Sequence, residues 1–262
     1  MKQKFLTDGW CRFPHDMVLE QWINTALPFA RDAVQSTENS QWLRCGGTWF
    51  AGVNVLPNDE HGAVAGGQAL AGDAVSFIRD ELGLSGVAWD RAQVSVCYPG
   101  YPKPMDEDSD ANFAFRRDRD AAHVDGLRRE GENRRRFLRE FHGFILGIPL
   151  VSADADASPL VVWEGSHHVV RDTFRHLYAG IDPARWHEVD VTEAYHAMRR
   201  SIFDNCARVI VTASPGEAYL IHRLALHGVA PWRSTAAARA DGRMIAYFRP
   251  ETGNVADWVF AP

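Results

Sequence analysis

Gly216-Glu217-Ala218-Tyr219-Leu220-Ile221-His222-Arg223-Leu224-Ala225-Leu226-His227-Gly228 is an apolar run that ends on a histidine at a turn. It reads as an apolar strand leading to that turn. Strict alternation puts His222 and His227 on opposite faces, so one unbroken strand cannot aim both at the same point. His227, where the strand breaks before Gly228, is the better candidate ligand. His222, inside the run, reads as a packed residue.

Working outward, a second element supplies partners. Ala122-His123-Val124-Asp125-Gly126 places a nitrogen and a carboxylate two residues apart. In extended backbone the two point to one side, and Gly126 allows a turn straight after them. A His-x-Asp pair alone is weak evidence, because a surface histidine beside a hydrogen-bonded aspartate looks the same. With His227 it becomes two imidazoles and one carboxylate, the ligand set of non-haem Fe(II) sites that keep open positions. His123, Asp125 and His227 are therefore the candidate metal ligands and catalytic centre.

The third element is Arg243-Met244-Ile245-Ala246-Tyr247-Phe248. A buried strand rarely carries an arginine without a partner, and a guanidinium can grip a carboxylate through two parallel bonds. Arg233 and Arg239 lie in the Ala-rich connection before this strand. Arg249 shares the face of Arg243 but sits at the other end.

Short strands are expected at 92–98, 112–122, 141–151, 160–163, 208–213, 217–221 and 243–248, a spacing that suggests a sandwich or barrel. Another short strand is expected from Trp49 toward Leu56. Helical spacing covers 16–38, where Pro28 predicts a break into two helices. A further helix is expected over 64–83, closed by Gly83, and one more near 190–205, opened by Asp190 and Glu193. The expectation is one domain over 1–262, mainly β with helices. Helices of the N-terminal part pack on the β core, and one helical insertion interrupts it.

The chain has 262 residues and a formal net charge of −6, which argues against nucleic acid as a partner. The run Arg128-Arg129 and Arg134-Arg135-Arg136 lies among Glu130, Glu132 and Glu140, and reads as a solvated mixed-charge segment. Cys11, Cys45, Cys97 and Cys206 show no paired spacing. With no leader or membrane-length apolar run visible, reduced thiols and a cytoplasmic location are expected.

The four blocks Ala-His-Val-Asp-Gly (122–126), Leu-Val-Val-Trp-Glu-Gly-Ser-His (160–167), 216–228 and 243–248 together resemble the phytanoyl-CoA dioxygenase-like branch of the Fe(II)/2-oxoglutarate oxygenases. The second block is similar to that family's strand leading to a PGSH turn, with Glu164 in place of the proline. The resemblance covers about 91–250. It implies a double-stranded β-helix of the jelly-roll or cupin kind. It also implies Fe(II) on His123, Asp125 and His227, with 2-oxoglutarate and O₂ as co-substrates and Arg243 on the distal carboxylate of 2-oxoglutarate. The expected reaction is oxidation of a small molecule with release of succinate and CO₂. The gap from His227 to Arg243 exceeds the family's usual spacing, which leaves Arg239 as the alternative grip. Tyr98, Trp163 and His167 are candidate substrate contacts, each with a core or surface role as the plainer reading. The segment 100–120 has the composition of a lid. A metal-dependent hydrolase or isomerase, or a non-catalytic binding protein, could be built on the same scaffold.

Overall fold

The computed structural model describes residues 1–105 and 108–261. The strands are β1 (Trp10–Phe13), β2 (Leu43–Arg44), β3 (Trp49–Phe50), β4 (Gln93–Cys97), β5 (Leu127–Glu130), β6 (Arg135–Leu138), β7 (Phe144–Pro149), β8 (Leu160–Trp163), β9 (Arg208–Val211), β10 (Ala218–His222), β11 (His227–Val229) and β12 (Arg243–Phe248). The helices are α1 (Lys2–Asp8), α2 (Met17–Gln35), α3 (Asp73–Ser76), α4 (Asp110–Asp118), α5 (Ser166–Leu177), α6 (Thr192–Asn205) and α7 (Asp257–Phe260). None of the described helices is long and apolar enough to cross a membrane.

The strands form two antiparallel sheets and a hairpin. The large sheet runs β1-β10-β7-β12-β4-β3-β2, the small one β11-β8-β9, and β5 pairs with β6. β7, β10 and β12 are buried at every position. Alternation explains why. Phe144, Leu146 and Ile148, with Met244, Ala246 and Phe248, pack outward against Leu19, Trp22, Ile23 and Ala26 of α2. Ile145, Tyr219, Ile221, Ile245 and Tyr247 face the other way and meet Leu160 and Val162 of the small sheet. The far face of β8, Val161 and Trp163, is covered by Val170 and Phe174 of α5 and Tyr195, Met198 and Ile202 of α6. The order is helix, sheet, sheet, helix. A sheet covered on both faces must be apolar throughout, which is why these strands read as continuous runs.

Several local expectations differ from the structure. Residues 17–35 form one helix despite Pro28. Pro28 is exposed, so the carbonyl freed by its missing N–H faces water and the helix continues. The helix expected over 64–83 shrinks to α3 and a following π turn, Phe77–Glu81. Gly66 and Gly72, both at positive φ, belong to the irregular stretch before it. The strand expected at 112–122 is instead helical over 110–118: the Ser109 side chain accepts from the Asn112 amide at 3.3 Å, a helix N-cap. The apolar run after Trp49 is a strand only through Phe50, and turns follow. The insertion holds two helices, α5 as well as α6.

Trp22 ties the outer layers together. It is 1% exposed, its indole N–H donates to the Gly62 carbonyl at 2.7 Å, and its ring lies 5.8 Å from that of Phe248. Trp22→Ala is expected to destabilise the fold by about 3–5 kcal/mol. Urea unfolding that shows a lowered midpoint at an unchanged m-value would bear this out.

Candidate metal centre

The small sheet assembles the site. His123 lies beside β11 through a mutual pair of backbone bonds: the His123 amide donates to the His227 carbonyl at 2.8 Å, and the His227 amide returns a bond to the His123 carbonyl at 3.1 Å. The rings are thereby brought side by side, with centroids 4.7 Å apart. Asp125, two residues on, follows the same side of the chain. One ligand atom from each of His123, Asp125 and His227 lies within 4.8 Å of the others. The His123 Nε2 to Asp125 Oδ1 distance is 3.2 Å, and that from His227 Nε2 is 3.9 Å.

The imidazoles are oriented by main chain. His123 Nδ1 lies 2.9 Å from the Ala121 carbonyl, and His227 Nδ1 lies 3.0 Å from the Ala225 carbonyl. A carbonyl only accepts, so each Nδ1 carries a proton, which leaves each Nε2 as the ring atom turned toward Asp125. Burial and the neighbouring His123 pull the His227 imidazole down to about 4, against the opposing pull of Asp125. Burial alone would raise the Asp125 carboxyl, but Arg249, His123 and His227 outweigh it and hold it well below the usual range. At neutral pH His227 is thus held neutral and Asp125 ionised, the states a divalent cation requires of them. Asp125 Oδ1 faces the histidines, while Oδ2 is 3.5 Å from Arg249 Nη1.

The triad opens into a cavity of about 420 Å³ whose apolar wall includes Trp42, Trp49, Val53 and Met105, with Arg44, Gln93 and Arg249 as its polar points. The Trp49 indole donates to Ser95 Oγ at 3.1 Å. His123 is the open side of the triad, with its side chain 45% exposed against 9% for both Asp125 and His227. An open face beside an apolar cavity suits a metal that must also take co-substrate.

Arg243 is buried on the inner face of β12, on the same side as Ile245 and Tyr247. Its Nη2 lies 3.5 Å from the Tyr219 hydroxyl, which donates to the Tyr247 hydroxyl at 2.9 Å. Its Nη1 is buried with no partner among the described residues. Tyr247 lines the main cavity, whereas Arg243 and Tyr219 line a separate small one behind it. Arg239 is exposed and borders a different depression, beside Glu20, Arg31 and Asp241.

The other expected contacts lie elsewhere. Trp163 is core, edge-on to Phe203 at 5.3 Å. His167 is 1% exposed, with Nε2 3.0 Å from the Leu6 carbonyl, and its ring lies 4.8 Å from that of His222. His222 packs in that corner, away from the triad. Tyr98 is half-buried against the outer core and does not line the main cavity. Of the segment 100–120, Met105 reaches the cavity wall, while 106 and 107 lie outside the described residues. Sequence reasoning gave no role to Trp42, Trp49, Arg44 or Gln93.

No family model matches the chain, and no curated protein matches it. Solved structures do. The non-heme alpha ketoglutarate dependent carbocyclase SnoK from nogalamycin biosynthesis is 11% identical over 95% of this chain and 82% of its own, with a TM-score of 0.43. EctD from S. alaskensis, solved with 2-oxoglutarate and 5-hydroxyectoine, is 14% identical over 96% and 74%, at 0.46. The non-heme monooxygenase ThoJ, solved as a nickel complex, is 15% identical over 96% and 76%, at 0.47.

Gly228 permits the close approach that builds the site, since a Cβ there would lie 2.2 Å from the Asp120 carbonyl oxygen. Gly228→Ala must push the strand bearing His227 away from the segment bearing His123. Affinity for Zn(II), read by competition with a chromophoric chelator, is expected to fall about 10–100-fold, the cost of a lost ligand support. Far-UV circular dichroism should stay native.

Proposed function

We propose that this protein is an Fe(II)- and 2-oxoglutarate-dependent oxygenase that hydroxylates a small molecule, with His123, Asp125 and His227 as the iron ligands. The observation that carries this reading is the preset triad: two Nε2 atoms freed by carbonyl-held Nδ1–H groups, one carboxylate oxygen between them, and an open face on a cavity. The strand order supports it. β4-β12-β7-β10 in the large sheet, and the His123 segment followed by β11-β8-β9 in the small one, is an order consistent with a double-stranded β-helix.

Iron, when bound, would supply the activation of O₂ and the oxidative decarboxylation of the 2-oxo acid to succinate and CO₂. The chain's own residues bind, orient and exclude. Arg249 holds Asp125 by its outer oxygen, so the inner oxygen is left for the metal. The apolar wall of Trp42, Trp49 and Val53 keeps water from the open face and shapes the space for substrate. Arg243 carries a buried positive charge with an unpartnered Nη1 beside two tyrosine hydroxyls, which suits the distal carboxylate of 2-oxoglutarate. Arg239, exposed on another face, suits it less.

Anaerobic addition of Fe(II) and then 2-oxoglutarate to the metal-free protein is expected to give a visible charge-transfer band, and Asp125→Ala to abolish it. Arg243→Met should weaken 2-oxoglutarate about tenfold or more while iron affinity holds, the loss of one charge-assisted pair. Tight zinc binding with no band on the iron-loaded wild type would instead favour a hydrolase or isomerase.

A further inference from the structure

Behind His123 lies a second pocket of about 120 Å³, bordered by Arg116, Arg129, Arg134, Arg136 and Arg199, with Asp108 as the carboxylate among its lining residues. Met105 and His123 line both this pocket and the main cavity, so the two adjoin at the metal centre. Asp108 is already engaged, in a two-bond pair with Arg116. The other four guanidiniums have no carboxylate partner among the described residues.

That is unusual within this chain, which has a net charge of −6. Neighbouring arginines on the same hairpin are paired: Arg128 with Glu140, Arg135 with Asp190 and Glu193, Arg139 with Glu130. The mixed-charge reading of the basic run therefore holds on one face and fails on the other. Arg129 and Arg136 sit directly opposite each other across β5 and β6. Like charges in that relation destabilise a hairpin. Arg136 is 6% exposed, donates to the Leu127 carbonyl at 3.1 Å and lies over the Tyr195 ring at 4.5 Å. Arg199 stacks on Phe115 at 4.1 Å and faces the same Tyr195. Rings and a carbonyl thus hold two guanidiniums in place without neutralising them. Arg134 occupies a left-handed turn conformation, φ 50°. Burial, Arg136 and Arg134 together pull the Arg129 guanidinium down to about 10. Repulsion is built into the pocket, and a bound anion would relieve it.

We propose that this pocket is an oxyanion subsite that takes a phosphoryl group, as phosphate or diphosphate, carried by the molecule whose apolar part enters the main cavity. Planar guanidiniums converging from several elements match the several oxygens of such a group. Sharing of His123 and Met105 between the pockets would hold the rest of that molecule beside the metal. The identification of that molecule as the oxidised substrate rests on the oxygenase reading; binding of the anion does not.

The test uses the full chain and isothermal titration with pyrophosphate, and with phenyl phosphate against phenol. Arg129 and Arg134 are exposed, so Arg129→Gln/Arg134→Gln should fold normally. Wild type is expected to bind pyrophosphate, and to bind phenyl phosphate at least about tenfold more tightly than phenol, with both preferences lost in the double variant. No binding by wild type, or equal binding by the double variant, would overturn the proposal. So would loss of binding in Asp125→Ala with retention in the double variant, which would put the anion on the metal. A normal iron and 2-oxoglutarate band alongside absent anion binding would sink the subsite and leave the oxygenase reading standing.

Discussion

The pair of backbone bonds between His123 and His227 is the constraint on which the rest of the centre depends. Neither histidine reaches the other through its own sequence neighbourhood, since they lie on segments about a hundred residues apart. The bridge fixes their separation, the adjacent carbonyls of Ala121 and Ala225 fix their tilt, and Asp125, two residues after His123, arrives beside them with Arg249 on its outer oxygen. The bridge in turn depends on the small sheet being pressed against the large one, because β11 is held by β8 and β8 is held by apolar contact on both faces. The layered core thus acts as the jig for a site whose ligands contribute little cohesion before a metal binds.

Legibility in the sequence tracked how local the controlling physics was. The triad was readable because a two-residue spacing and a strand-ending histidine are local signals, and β12 because both its faces are apolar. The cavity wall was not. Trp42 and Trp49 enter it only because β3 pairs with β4, which brings Trp49 against Cys97. Nothing in residues 42–53 announces that pairing. The same holds for Arg249, whose approach to Asp125 is set by where β12 ends rather than by its neighbours.

Charge was the hardest feature to read. Along 128–140 acids and bases alternate in an order that looks self-neutralising. The hairpin register decides otherwise, sending Arg128 to Glu140 while turning Arg129 and Arg136 to the opposite face. Residues 110–118 failed for a different reason: the strand expected over 112–122 overlooked Ser109, which caps a helix there. Trp163 and His167 had the expected proximity in sequence to a turn near the core, yet α5 and α6 cover that side and absorb both into packing.

The apolar wall of the cavity is drawn largely from the edge of the large sheet and from irregular chain, whereas His227 lies on the small sheet and His123 is bridged to it. Division of labour of this kind separates two kinds of variation. Changes at Trp42, Val53 or Met105 alter the shape offered to an incoming molecule and leave the bridge, the carbonyl locks and the helix-covered layers untouched. The rim can therefore be reshaped for a different occupant without disturbing the frame that sets the distance between the two imidazoles.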